Sequence, residues 1–235
     1  MIGHQHPPWR FLGSLALALP VLAGACMWGD VLYDTSQRAL ILEPIDQVRF
    51  TLDHGNVEVF AFNRTAINLF YYLTGAENEI GEVGYKIADT ELQAFIECAD
   101  PDGFCNANFS VEVPYGTRIL ATTHNGGVKL TGVDAEIVAV VAGGDFEGVE
   151  LSSPSLDVAA LTGNITIVQL SAPMTLQLAA LTGNVDLTLP AGSYHCERAA
   201  SDGDIVTTGI ICDDTATSRI KIDVTTGDIH VQAAP

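Results

Sequence analysis

From residue 117 onward apolar positions alternate with polar ones, and alternation at a period of two is the pattern of a half-buried β-strand. The pattern is anchored on a recurring glycine: Gly126, Gly144, Gly163, Gly183, Gly203 and Gly227, with an earlier copy at Gly55. Spacings within the main run are 18, 19, 20, 20 and 24 residues. Asn or Asp follows in every copy but one, as Asn56, Asp145, Asn164, Asn184, Asp204 and Asp228, with Gly127 as the exception. These residue types tolerate the positive φ of a tight turn between strands. Two places after the glycine stand Val57, Val128, Phe146, Ile165, Val185, Ile205 and Ile229. Seven places before it, in the main run, stand Ile119, Ile137, Leu156, Leu176, Cys196 and Ile220. Columns that stay apolar from copy to copy are stripes of one continuous core. Each copy therefore reads as strand, turn, strand, unable to bury its apolar face alone.

These columns predict an all-β fold: a single-stranded β-solenoid-like stack of about 20-residue repeats over residues 117–232. In such a stack successive coils lie about 4.8 Å apart, like residues lie over like, and the Asn/Asp column forms a ladder along one edge. A sandwich built from hairpins is the other architecture; the near-constant period favours the stack. Residues 46–116 are less regular and are expected to form an N-terminal β cap with the first repeat. Its strand-like stretches are 47–52, 57–62, 66–73, 92–98 and 108–113, and Gly75–Gly84 reads as a loop. The run Phe70-Tyr71-Tyr72 reads as core or cap packing in preference to a binding patch. Residues 26–45 read as a tether. Arg198 stands five places before its glycine, where Ala121, Ala139, Val158, Leu178 and Ile222 otherwise stand. A buried charge is costly, so a bulge that turns it outward is expected there.

Residues 1–25 break the pattern and read as a signal peptide. Arg10 precedes an uncharged apolar run, Phe11–Leu22, that is too short for a stable membrane span. Ala23-Gly24-Ala25 and then Cys26 follow, an order that resembles a bacterial lipoprotein signal with Cys26 as the acylated first residue of the mature chain. Leu22 lies one place further from the cysteine than that pattern has it, and ordinary cleavage after the small residues is the rival. The expected address is outside the cytoplasm: an outer-membrane or cell-surface lipoprotein, or a periplasmic or secreted protein. With Cys26 set aside, Cys98, Cys105, Cys196 and Cys212 form an even set, which in an oxidising compartment reads as disulfides. Cys98 and Cys105 bracket a turn-rich hexapeptide containing Pro and Gly, which leaves Cys196 and Cys212 for each other. Free thiols are the second reading. Neither pair has zinc-knuckle spacing, and no metal is expected.

Charge narrows the partners. Ten Lys/Arg against 29 acids give a formal −19, or −20 once residues 1–25, with their single Arg10, are removed. Such a field repels phosphate backbones, so no nucleic-acid partner is expected. Apolar residues at 48% exclude a disordered chain.

The segment Val111-Glu-Val-Pro-Tyr-Gly-Thr-Arg-Ile-Leu-Ala-Thr-Thr-His-Asn-Gly-Gly-Val-Lys-Leu-Thr-Gly-Val133 is a strand ending in Val-Pro, a Gly turn and the first repeat. Together with the later Thr-Gly-Asn copies and Leu187-Thr-Leu-Pro190 it resembles the bacterial "putative adhesin" family of β-strand repeats, over about residues 46–232. The resemblance implies a right-handed β-solenoid-like fold in an envelope protein and carries no catalytic residues. The four further cysteines and the strong acidity depart from the family's pattern.

No nucleophile elbow, H-E-x-x-H, P-loop or dinucleotide fingerprint occurs. Gly143-Gly144-Asp145 is a fragment of a calcium nonapeptide that does not repeat at nine, so Asp145, Asp204 and Asp228 read as turn residues. No catalytic residue and no cofactor are expected. The leading expectation is a non-catalytic envelope lipoprotein offering an adhesion or scaffold surface to a protein or glycan, anchored in the membrane by lipid. An accessory or sensor subunit of an envelope-stress system, with a membrane-protein partner, is the second. A β-helix polysaccharide enzyme is the third.

Overall fold

The computed structural model describes residues 32–100 and 103–235. The segment expected as a signal peptide, and Cys26, lie outside the described residues. Twenty strands run through them and no helix. The N-terminal part holds β1 (Leu32–Ile41), β2 (Gln47–His54), β3 (Val57–Phe62), β4 (Ile67–Ala76), β5 (Ile80–Ala88), β6 (Glu91–Cys98) and β7 (Cys105–Pro114). The middle holds β8 (Arg118–Asn125), β9 (Val128–Thr131), β10 (Ile137–Gly143), β11 (Phe146–Leu151), β12 (Ser155–Thr162), β13 (Ile165–Gln169), β14 (Thr175–Thr182) and β15 (Val185–Leu189). The C-terminal part holds β16 (Ser193–Asp202), β17 (Ile205–Thr208), β18 (Ile211–Cys212), β19 (Arg219–Thr226) and β20 (Ile229–Ala233).

The strands form two ten-stranded sheets that share one apolar core. The first sheet runs β1-β4-β7-β3-β9-β11-β13-β15-β20-β17, and the second runs β18-β16-β19-β14-β12-β10-β8-β2-β6-β5. Over the middle each repeat places one strand in each sheet. The strand before the turn glycine enters the second sheet, and the strand after it enters the first. The neighbours are parallel and in register: Ile119, Ile137, Leu156 and Leu176 pair in sequence across the second sheet. Val128, Phe146, Ile165 and Val185 do the same across the first. Strands joined by the glycine turn sit in different sheets, so the turn makes a corner and not a hairpin.

Why glycine holds the corner is a matter of space. The seven turn glycines have φ between +129° and +152°, a region L side chains rarely adopt. A Cβ on Gly163 would stand 1.9 Å from the carbonyl oxygen of Gly144 in the coil before, and one on Gly183 would stand 1.9 Å from that of Gly163. The corners stack backbone on backbone, and no other residue fits.

Five features depart from the sequence reading. The segment expected as a tether contains β1, which pairs antiparallel with β4 along its whole length. Gly75–Gly84, expected as a loop, is mostly strand: β4 and β5 run through it with only Glu77–Glu79 between them. The N-terminal region extends the same two sheets, with β2 and β3 parallel to β8 and β9; β4 and β5 reverse direction, and β1, antiparallel to β4, runs with β7 and β3 again.

The fourth departure concerns order. The stack does not rise coil by coil in chain order to its end, because β19 and β20 lie between β14/β15 and β16/β17. The expected bulge at Arg198 is also absent. The register of β16 against β19 continues through Arg198↔Ile222, which leaves the side chain in the inward column. It is half-buried there and donates to the Thr207 hydroxyl of the opposite sheet. Its coil is the last one of the stack, so the guanidinium closes the core's end instead of lying between two coils. The physical reason is the cost of an unpaired buried charge.

Candidate binding face

Where four strands of the first sheet, β1, β4, β7 and β3, lie side by side, aromatic side chains face outward. Alternation along β4 sends Ile67, Leu69, Tyr71 and Leu73 into the core and leaves Asn68, Phe70 and Tyr72 on the outer face. Along β3 it likewise leaves Phe60 and Phe62 outside. Between them β7 offers smaller polar groups, because Phe109, Val111 and Val113 point inward and Ser110 and Glu112 do not. The register aligns Arg38, Phe70, Ser110 and Glu58 in one row across the four strands. The next row is Leu40, Asn68, Glu112 and Phe60.

Side-chain contacts make this a built surface. The Arg38 guanidinium lies 5.2 Å from the centre of the Phe70 ring, and that of Arg64 lies 5.1 Å from the Phe62 ring. Arg64 pairs with Glu112, and the Asn68 amide donates to the same carboxylate at 2.7 Å. The Asn68 hydrogen bond first, and then the Arg64 guanidinium, hold the Glu112 carboxyl below the usual glutamate value. At the side of the patch Asp34 accepts a hydrogen bond from Tyr72, which pushes the phenol above its usual value. Arg38, Leu40, Asn68, Phe70, Ser110 and Glu112 line a cleft of about 510 Å³. It combines an apolar ring, the Arg38 guanidinium, a hydroxyl and a carboxylate acceptor, a mixture suited to hydroxyl-rich or amide-bearing ligands.

The residues singled out in the sequence lie elsewhere. Asn56, Asp145, Asn164, Asn184, Asp204 and Asp228 run along one edge as a ladder of hydrogen bonds. Asn56 Oδ1 accepts from the Gly127 amide at 2.8 Å, Asp145 Oδ1 from that of Asn164 at 2.7 Å, and Asn164 Oδ1 from that of Asn184 at 2.9 Å. Asn184 Oδ1 accepts from Asp228 and Asp228 Oδ1 from Asp204, each at 2.8 Å. Except at Asp204, the last rung, these oxygens serve the coils themselves. Among the described residues no three His, Cys, Asp or Glu side chains gather to hold a metal ion. Disulfides join Cys98 to Cys105, with Cα atoms 5.8 Å apart, and Cys196 to Cys212, at 5.5 Å. The first closes the turn between β6 and β7, and the second staples β18 to the end coil. His124 faces Asp53 at 3.4 Å, and His230 faces Asp186 at 3.2 Å, as separate surface pairs.

Sequence reasoning missed Arg38, placed in a supposed tether, and treated Phe70-Tyr71-Tyr72 as one packing block. Tyr71 does pack in the core, 5.2 Å from Phe109 between ring centres, while its two neighbours face out. The period-two rule applied to Ile67, Leu69, Tyr71 and Leu73 would have separated them.

No family model matches the chain, and no curated protein sequence does. Several solved structures resemble it over most of its length. A putative cell adhesion protein from Clostridium sporogenes is 10% identical, with a TM-score of 0.43, covering 86% of this chain and all of its own. A putative adhesin from Bacteroides fragilis is 13% identical, with a TM-score of 0.37, covering 88% of this chain and 98% of its own. A putative lipid binding protein from Parabacteroides distasonis is 10% identical, with a TM-score of 0.39, covering 85% of this chain and 97% of its own.

Proposed function

We propose that this chain is a non-catalytic cell-envelope lipoprotein, a β-solenoid-like stack held at the membrane through Cys26, whose sheet faces serve as an adhesion or scaffold surface. In-register parallel pairing over the middle supports the stack, and the signal-like N-terminus supports the address. The observation that carries the binding role is the outer face around Phe70. Phe62 and Tyr72 are exposed there and Phe60 and Phe70 are half-buried on the outer face, and guanidinium groups lie over the Phe62 and Phe70 rings. Exposed aromatic and arginine side chains concentrate binding energy on an otherwise polar surface. The net charge of −19 disfavours polyanions and leaves uncharged glycans or basic protein segments as ligands.

The test is retention of the purified protein on immobilised envelope polysaccharide and, separately, on immobilised envelope protein. Retention on one of the two is expected, with loss in Arg38→Ala/Phe70→Ala and no loss in Thr166→Ala/Thr188→Ala on the same sheet. Equal retention of both variants would remove the face from the proposal. Metabolic labelling with a fatty-acid analogue, with Cys26→Ala as control, tests the anchor; an unlabelled wild type would overturn it.

A further inference from the structure

The last coil in the chain is not the last coil in space. β19 and β20 occupy a slot between β14/β15 and β16/β17, although the chain completes β16 and β17 first. The repeat spacing offers a different neighbour. Gly203 follows Gly183 by 20 residues, as Gly183 follows Gly163, so Cys196, Arg198, Ala200, Ile205 and Thr207 have the columns needed to stack directly on Leu176, Leu178, Ala180, Val185 and Leu187.

Side-chain chemistry decides against that neighbour. The inserted coil presents Ile220, Ile222, Val224, Ile229 and Val231 inward, each no more than 3% exposed. The coil moved to the end presents Arg198 and Thr207, and its Ile205 is 43% exposed. Stacking in chain order would trap the guanidinium between two coils, while insertion leaves it at the rim. The slot is thus an acceptor for one particular strand pair, matched by column and by ladder, since Asp228 bonds Asn184 on one side and Asp204 on the other.

The occupant is held without covalent ties. Both disulfides lie outside it, and the second joins Cys212 to Cys196 within the end coil. Residues 213–218, mostly exposed, connect β18 to β19. These six residues reach roughly 20 Å when extended, whereas two strand spacings take up only about 10 Å. Every contact in the slot is the same whether the strand pair comes from its own chain or from another.

We propose that the slot between β14/β15 and β16/β17 accepts residues 219–233 of a second copy, so that the protein self-associates by exchanging its C-terminal strand pair. Reciprocal exchange gives dimers, and one-way donation gives chains of copies. This inference does not depend on the proposed function.

The experiment uses the full chain with Cys26→Ser and two separate single-thiol variants, Ala199→Cys and Asp223→Cys. These positions are directly opposed on β16 and β19, and both are exposed. The two populations are mixed, incubated in mild denaturant, returned to buffer and treated with a short bifunctional thiol reagent. Linked dimer is expected in the mixture, with a dimer-to-monomer ratio that doubles with each doubling of protein while dimer is scarce. A double variant linked within one chain before mixing should form none. Absence of dimer from the mixture, equal dimer in either population alone, or dimer from the pre-linked protein would each overturn the proposal.

Discussion

The middle of the stack and its C-terminal end are built from the same repeat, yet one follows chain order and the other does not. In β8 to β15 every inward position is apolar or tightly packed, so any coil is an acceptable neighbour and the shortest connection wins. In β16 to β20 the two coils are unequal. One is wholly apolar inside, and the other carries Arg198 and Thr207, so the better coil goes inside and the poorer one becomes the end. A regular spacing therefore determines how coils stack but not which coils touch.

The largest effect belongs to the corner that both regions share. Gly183→Ala places a Cβ 1.9 Å from a backbone oxygen, and an expected loss of about 4 kcal/mol or more would be read by chemical denaturation. Gly192→Ala, whose Cβ meets nothing nearer than 3.6 Å, should stay within about 0.5 kcal/mol. Next come the inward columns. Ile222→Ala in the inserted coil should cost about 2–5 kcal/mol, whereas Ile205→Ala at the exposed end should cost about 0.5 kcal/mol or less. Equal costs would mean that the two coils share the interior equally.

Arg198→Leu with Thr207→Leu removes the desolvation cost, several kcal/mol, that opposes chain-order stacking. Amide protection should then fall in β19 and β20 and rise in β17, as seen by hydrogen exchange. Smaller again, Asn184→Ala removes the acceptor for the Asp228 amide and should cost about 1 kcal/mol. Asp204→Ala, at the end of the ladder, should cost less. The smallest effect concerns pH at the N-terminal face. The folded value of Glu112 lies below its ordinary 4.5, so its contribution is present above that value and lost as pH falls through the folded one. A Glu112→Gln variant should lose less stability on acidification below the ordinary glutamate value, and Arg64 should gain mobility in the wild type over the same interval.

Much of this fold can be read from the chain. The glycine column, the apolar columns and the turn residues Asn164, Asn184 and Asp228 report strands, corners and a ladder, because all three are set by local backbone geometry repeated at a fixed spacing. The candidate binding face was legible only in part. Phe70 and Tyr72 follow from alternation along β4, but Arg38 does not, since β1 is a strand only through its pairing with β4. Strand content, corner chemistry and the inward side chains of the regular repeats follow from local rules alone, a period of two and glycine's missing Cβ. The tertiary structure alone decided the antiparallel N-terminal strands, the aromatic face they assemble and the place of the last coil. Backbone pairing in a parallel stack accepts any coil in register, so the order of coils is set by burial costs summed over residues far apart in the chain.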